Sequence, residues 1–453
     1  MRHASWLTRT RWAATSVTTL LVAATAGPQR VAAQQFQVND YTTGRQVGAW
    51  VATDADGNFV VVWESDDSQG TQTIQARRFS ANGTPLAGQF QVNDYTTGSA
   101  YQPSVAMDAD GRFVVAWASY GSPGNDTDGD SIQARRFASD GTPLGGQFQV
   151  NDYTTGYQDH ASVTSDPSGN FVVAWSSGGS PGDDSSSYSI QGRRFDSNGT
   201  ALAGQFQVND YTTGVQVAPV VAADPGGNFV VAWQSDGSPG NDSSYQSIQA
   251  RRFDTNGAAL AGQFQVNDYT TGGQYFAAVA SDTSGGFVVA WESYGSPAND
   301  SMANSIQARR FDPNGVALGS QFQVNDYTTS SQTNPSITTD NGSFVVAWDS
   351  NGSPGGDSSE YSIQARRFSA GGPPSGGQFQ VNDYTTGTQR QPSVARAAGG
   401  GFVVAWASFV SPGNDSDSDS IQASIIPEPD SVLLGLAALA ALVLLVRQRV
   451  ALA

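Results

Sequence analysis

The sequence predicts an all-β fold, a seven-bladed β-propeller, from three observations. The segment Gln-Phe-Gln-Val-Asn-Asp-Tyr-Thr-Thr recurs with its phenylalanine at Phe36, Phe90, Phe148, Phe206, Phe264, Phe322 and Phe379, and a regular period of this length marks a repeat architecture. Between these copies lies a second block, Phe-Val-Val-Ala-Trp or a close variant, with its tryptophan at Trp63, Trp117, Trp175, Trp233, Trp291, Trp348 and Trp406. The array is also cut out of phase: it opens with the last strand of a unit and ends on a unit that lacks that strand.

Each unit holds four strand candidates divided by turn residues. In the second unit, strand A is Pro103 to Met107, and Asp108-Ala109-Asp110-Gly111 turns the chain into strand B, Phe113 to Ser119. A long loop of Gly, Ser, Pro, Asn and Asp leads to strand C, Ser131 to Phe137; a Gly141-Thr142-Pro143 turn then leads to strand D, Gln147 to Asn151. In strand B, Phe113, Val115 and Trp117 face one way and Val114 and Ala116 the other, so both faces need cover. Strand A carries the small residues Ser104, Val105 and Ala106, suited to crowding near a central axis. Blades stacked around an axis meet both demands. The first strand, Phe36 to Asn39, then completes the last blade and leaves no open sheet edge. A β-solenoid is the alternative, but its coils are shorter than this unit and would leave the matched ends without a purpose.

Composition narrows the function classes. The chain of 453 residues has no cysteine, which removes disulfides, thiolate nucleophiles and Cys-based metal sites. Every basic side chain other than histidine is an arginine and the formal charge is −18, so nothing offers the basic face that a nucleic acid needs.

The two ends differ from the array. Arg2, Arg9 and Arg11 precede an apolar run from Ala13 to Ala26 and the small residues Val31, Ala32 and Ala33, the three-part plan of a secretory signal with cleavage expected after Ala33. At the other end Pro427-Glu428-Pro429 precedes an apolar run from Val432 to Val446, followed by Arg447 and Arg449. As a helix this run is roughly 22 Å long, enough for a thin bilayer core with snorkelling arginines, and the positive-inside rule puts those arginines in the cytoplasm. The expected organisation is a signal peptide over 1–33, the propeller over 34–426 and a sorting signal with a transmembrane helix over 427–453.

The order of Pro427-Glu428-Pro429, hydrophobic helix and basic terminus resembles the PEP-CTERM sorting signal of Gram-negative bacteria, which exosortase enzymes recognise. The resemblance covers residues 427 to 453. It implies Sec export, insertion in the inner membrane, cleavage near Pro427 to Pro429, delivery to the cell surface or extracellular matrix, and association with exopolysaccharide. From Gln35 to Ala423 the blocks resemble the tandem repeats of large secreted bacterial proteins, which implies exported surface architecture and no particular reaction.

Within the array, the Arg-Arg pairs, such as Arg135-Arg136, alternate across a strand and cannot form one patch. With an Asp in every Asn-Asp-Tyr nearby, they are expected to form structural ion pairs. Alternating carboxylates at Asp126, Asp128 and Asp130, and at Asp415, Asp417 and Asp419, supply the hard oxygen ligands that calcium takes, without the full EF-hand spacing. No other cofactor is implied. Past the signal, His160 is the single histidine, so no ordinary nucleophile and base set stands out and no catalytic residue is assigned.

The segments that differ most between copies are the D to A connection and the B to C loop, which share one end of an up-and-down blade. Aromatics gather there: Trp50, Tyr101, Tyr157, Tyr275 and Phe276 in the first set, Tyr120 and Tyr294 in the second. Flat rings beside Asp and Asn acceptors suit a sugar. The sequence therefore predicts a non-enzymatic interaction or matrix scaffold that contacts exopolysaccharide or an envelope protein. The alternatives are a glycan-active hydrolase or lyase on the same scaffold, and a calcium-dependent adhesin.

Overall fold

In the computed structural model the described residues are 35–428, apart from stretches of the B to C loops at 67–69, 122–123, 125, 127–128, 180–186, 238–241, 243–244, 296–302, 353–359 and 410–418. They form seven four-stranded antiparallel sheets. The first strands of neighbouring sheets pack against one another around an axis, so the architecture is a seven-bladed β-propeller. Blades are numbered here from the first complete one, blade 1 beginning with strand A at Gln46–Thr53 and blade 7 with strand A at Gln389–Arg396.

Closure follows the out-of-phase array. Phe36–Gln37 is the fourth strand of blade 7, with Phe36 opposite Ala423 and Gln37 opposite Gln422. The Gln35 Oε1 accepts the backbone N–H groups of Asp383 and Tyr384 at 2.9 and 3.1 Å, which ties this strand to the end of blade 6.

The apolar two-faced B strands are covered as their sequence demands. Each of the seven core clusters joins one face of a blade to the opposite face of the next: Val60, Val62 and Ile74 of blade 1 meet Phe113, Val115 and Trp117 of blade 2. All seven block tryptophans are fully buried, and at about 25 cal/mol per Å2 each contributes roughly 4–6 kcal/mol of burial. Six of their indole N–H groups donate to a glutamine in strand A, as Trp233 Nε1 does to Gln216 Oε1 at 3.0 Å. In blade 2 that position is Ala100, and Trp117 Nε1 has no partner.

Strand bounds in blade 2 differ from expectation at the ends. Strand D is only Phe148–Gln149, because the Asn151 side chain takes over the pairing: its Oδ1 accepts Ile132 N–H at 2.9 Å and its Nδ2 donates to Tyr153 O at 2.8 Å. Strands B and C are each one residue longer, Phe113–Tyr120 and Asp130–Phe137. Strand A starts earlier, at Ala100, since a bulge between Tyr101 and Ser104 resets its register.

The ion pairs form between blades. Arg135 Nη1 lies 2.5 Å from Asp94, which follows the D strand of blade 1, and the same latch recurs from Arg77–Asp40 to Arg366–Asp326. Each latching guanidinium also donates to a backbone carbonyl of the preceding blade, Val92 in the case of Arg135.

Candidate functional site

The strand A bulge builds one rim of the axis. In every blade it places one residue in the left-handed region: Gly48, Gln102, His160, Ala218, Phe276, Asn334 and Gln391. Six of these are not glycine, a backbone cost held by tertiary structure. The cause is an acceptor in the preceding blade, at the residue after the block tryptophan. Glu64 Oε1 accepts Gln102 N–H at 2.7 Å, Ser176 Oγ accepts Ala218 N–H at 3.1 Å and Asp349 Oδ1 accepts Gln391 N–H at 2.9 Å. Blade 2 has Ala118 at this position, and Gln102 takes its place: its Oε1 accepts His160 N–H at 3.0 Å.

The bulge also sets the residue before it against the first residue of strand C in the same blade. These pairs include Tyr101 with Asp130, Asp159 with Tyr188 and Arg390 with Asp419. The rim is thus a seven-fold scaffold whose residues at these two positions vary between blades, although blades 1 and 4 share a valine and a glutamine.

In blades 2 and 3 the pairs form one cluster of titratable groups. The Tyr101 hydroxyl donates to Asp130, and burial followed by this bond and the nearby carboxylates pushes the phenol far above its usual range. Burial holds the Asp130 carboxyl above the ordinary value, with the Asp159 charge adding to the rise. Asp159 Oδ1 is 2.9 Å from His160 Nδ1, and His160 Nε2 is 3.3 Å from Gln102 Nε2. The His160 side chain is 44% exposed. Tyr188 is raised by its own burial and then by Asp159.

A second acid group lies in blades 5 and 6. Burial pushes the Glu292 carboxyl up to about 7, its Oε1 accepts Asn304 Nδ2, and its Oε2 has no partner. Asn334 bridges to the next blade, giving its backbone N–H to Glu292 and its Nδ2 to Asp349 Oδ2 at 2.7 Å. Burial holds Asp349 well above the carboxylate range.

The residues singled out by sequence distribute as follows. Tyr101 and Asp130, expected in two separate roles, are joined in one pair, with Tyr120 opposite Asp130 across the strands and exposed. Tyr157 is exposed on the D to A connection. Tyr275 and Phe276 sit on the blade 5 bulge with ring centroids 6.5 Å apart, and Tyr294 ends strand B of that blade. Trp50 is not on the connection: it lies inside strand A, two residues past the Gly48 bulge, where four other blades carry Ser104, Ser162, Ser336 and Ser393.

Of the calcium candidates, Asp126 accepts Asn151 Nδ2 at 2.7 Å, Asp130 accepts from Tyr101 and Asp419 accepts from Arg390 at 2.9 Å. Among the described residues no three His, Asp or Glu side chains converge on a point that could hold a metal ion. Asp128, Asp415 and Asp417, the signal peptide, and the tail from Pro429 through Arg447 and Arg449 lie outside the described residues. Among those described, no helix is long and apolar enough to cross a membrane.

The opposite end of the axis has an opening of about 290 Å3 lined by the A to B turns. Its carboxylates serve their own turns, as Asp54 Oδ1 does for Asn58 N–H at 2.8 Å and Asp108 Oδ1 for Arg112 N–H at 2.9 Å. The near-repeated residues there make scaffold, and the unlike residues of the bulge rim make the candidate site. Sequence reading missed Gln102, Asp159 and His160 as a group, because they converge only through the bulge and the neighbouring blade. The signal within reach was that, at these aligned positions, His160 and Asp159 stand where units 1, 4 and 5 carry Gly48, Ala218 and Phe276 and Val47, Val217 and Tyr275.

No protein-family model and no curated protein matches the chain. Solved structures with a related ring include the polysaccharide lyase Uly1 at 9% identity and TM-score 0.49, covering 85% of this chain and 91% of that one. The GH93 α-L-arabinofuranosidase of Fusarium graminearum is 14% identical at TM-score 0.47, covering 87% and 97%. The NanB sialidase from Streptococcus pneumoniae is 10% identical at TM-score 0.46, covering 87% and 70%. None of these likenesses carries a substrate or a residue role to this chain. They do correct the expectation of a non-enzymatic scaffold. The lyase, the arabinofuranosidase and the sialidase are enzymes, where the sequence reading expected none, and a further structure with a related ring is a protein of unknown function from Dyadobacter fermentans.

Proposed function

We propose that the protein is an exported, envelope-tethered enzyme that cleaves polysaccharide at the bulge rim by general acid and base chemistry. The observation that carries this reading is the pair of carboxylate-held proton carriers from adjacent blades, Tyr101 on Asp130 and His160 on Asp159. Cleaving a glycosidic linkage needs a group that takes a proton and one that gives a proton to the leaving oxygen. His160 is exposed with its Nδ1 held by Asp159, and the Tyr101 hydroxyl is held by Asp130. The exposed rings of Tyr120, Tyr157, Phe276 and Tyr294 give sugars flat apolar surfaces on the same rim.

Export through the Sec route, handling by an exosortase-type enzyme and passage through the inner membrane to the cell surface or matrix belong to the same proposal. Strand C of blade 7, Asp419–Ile426, runs from the rim to the far end, and Arg367 Nη2 donates to Pro427 O there at 2.7 Å. A tether leaving at Pro427 keeps the rim away from the membrane.

The test is incubation of the full chain, purified in detergent, with a panel of acidic and neutral bacterial exopolysaccharides, read by loss of polymer size. Cleavage is expected, falling about 100-fold or more in Tyr101→Phe and in His160→Ala, the usual weight of one acid or base group. No cleavage of any polymer, or variants equal to the parent, refutes the assignment.

A further inference from the structure

We infer that the rim holds a carboxylate-binding subsite at Arg45 and Arg390, which makes the polysaccharide a uronate-containing one. This deepens the reading of the rim as a glycan site and rests on it.

Cations are scarce at this end. In the C-strand pairs, Arg77-Arg78 through Arg366-Arg367, the first arginine forms a latch and the second lies toward the opposite end, where Arg136, Arg194, Arg310 and Arg367 donate to carbonyls. Arg112 and Arg396 serve the A to B turns, paired with Asp108 and Asp340. Among the described residues that leaves Arg45, just before strand A of blade 1, and Arg390, in blade 7 at the position Tyr101 holds in blade 2.

Both guanidinium groups converge on one oxygen. Arg390 Nη2 is 2.9 Å and Arg45 Nε 3.6 Å from Asp419 Oδ2. Two guanidinium groups thus share the single oxygen of one carboxylate, in a chain of net −18. The side chains are 48% and 38% exposed, and a guanidinium carries five N–H donors, more than these contacts use. Asp419 is buried and its second oxygen accepts nothing, as the buried Arg390 Nε donates to nothing. The other acids facing the pair are Glu64 and Asp66 near Arg45, and Asp349 near Arg390. Glu64 and Asp349 are engaged by the bulge N–H groups of Gln102 and Gln391.

A planar fork of N–H donors at a half-exposed site fits a carboxylate in two-point contact. The pair sits on the same tier of the rim as the Tyr101 and His160 cluster, so a sugar anchored through its carboxylate at blades 7 and 1 presents the adjoining linkage toward blades 2 and 3.

The experiment measures calorimetric binding of the full chain in detergent to an oligogalacturonate, to its methyl ester and to a sulfated neutral oligosaccharide. Saturable binding of the acid is expected, weakened about tenfold or more by methyl esterification and by Arg390→Gln or Arg45→Gln, and changed less than about twofold in Arg396→Gln, which alters net charge equally at the far end. Melting temperature confirms that each variant is folded; Arg45→Gln, at the more exposed side chain, stands if Arg390→Gln misfolds. Equal binding of acid and ester, preference for the sulfated sugar, or indifference to both arginines overturns the subsite. If neutral glycans are cleaved in a Tyr101- and His160-dependent way while the uronate is ignored, only this inference fails. If no glycan of any kind is bound or cleaved, the proposed function fails with it.

Discussion

Replacing Gln216 by alanine tests whether the indole-to-glutamine bonds stabilise the blades. Gln216 is fully buried, accepts Trp233 Nε1–H at 3.0 Å and donates to Thr213 O at 3.3 Å. Its removal leaves a buried indole N–H unpaired, which costs about 1–3 kcal/mol. The lost side chain leaves a void on the order of 50 Å3, which adds about 1 kcal/mol at ~24 cal/mol per Å3. The total is about 2–4 kcal/mol. With an unfolding entropy of about 2.1 cal/mol/K for each of some 390 residues, Tm falls by roughly 3–5 °C. The mirror substitution, Ala100→Gln, gives Trp117 the partner it lacks and is expected to raise Tm by about 1 °C. Thermal melts followed by circular dichroism read both. A change below about 1 °C in Gln216→Ala, or an equal loss in Ala100→Gln, shows that the bond contributes nothing net and that the reasoning is wrong.

Two further outcomes follow from the same geometry. Because burial raises the folded-state pKa of Glu292 to about 7 from an ordinary 4.5, the folded chain holds the extra proton between those values, and stability falls as pH rises from about 4.5 through 7. Asp349 acts in the same direction. Glu292→Gln flattens that fall, checked by denaturant midpoints from pH 5 to 8; an unchanged slope rules out Glu292 as its source. Asn39→Ala removes the acceptor of Ile421 N–H and the donor to Tyr41 O in the closing strand, and about 2–3 kcal/mol of stability is expected to go with them, read as a shifted urea midpoint.

The ring, its blade number and its closure were legible in the sequence because they rest on residues that recur. A tryptophan and a phenylalanine flanked by valines need cover on both faces wherever they stand, and the missing last strand names its substitute. The Asp of Asn-Asp-Tyr was likewise readable as the partner of an arginine in the six units that carry an Arg-Arg pair. The site was not readable, because it is built from departures. Ala118 replaces an acceptor, so Gln102 reaches across to the His160 backbone; Asp130 meets Tyr101 only after the bulge moves the strand by a residue. Periodicity reports the average unit, and the chemistry of the rim lies in how single units depart from it. Trp50 shows the same limit, since alignment by turn residues put it on a loop that ends before it.

The closing strand orders events in time. Blades 1 to 6 are each made from a contiguous stretch and can assemble as the chain is synthesised, but Asn39 meets Ile421 across 382 residues. The first strand made is the last one placed. Until then blade 7 has an empty edge that any copy of residues 35–39 fits, and the chain's own copy competes with those of neighbouring molecules. Intramolecular closure wins while its effective concentration, typically near millimolar for short flexible links and lower for long ones, exceeds that of other chains. Crowded refolding therefore favours rings closed by exchanged first strands, and linked dimers with intact blades mark that route.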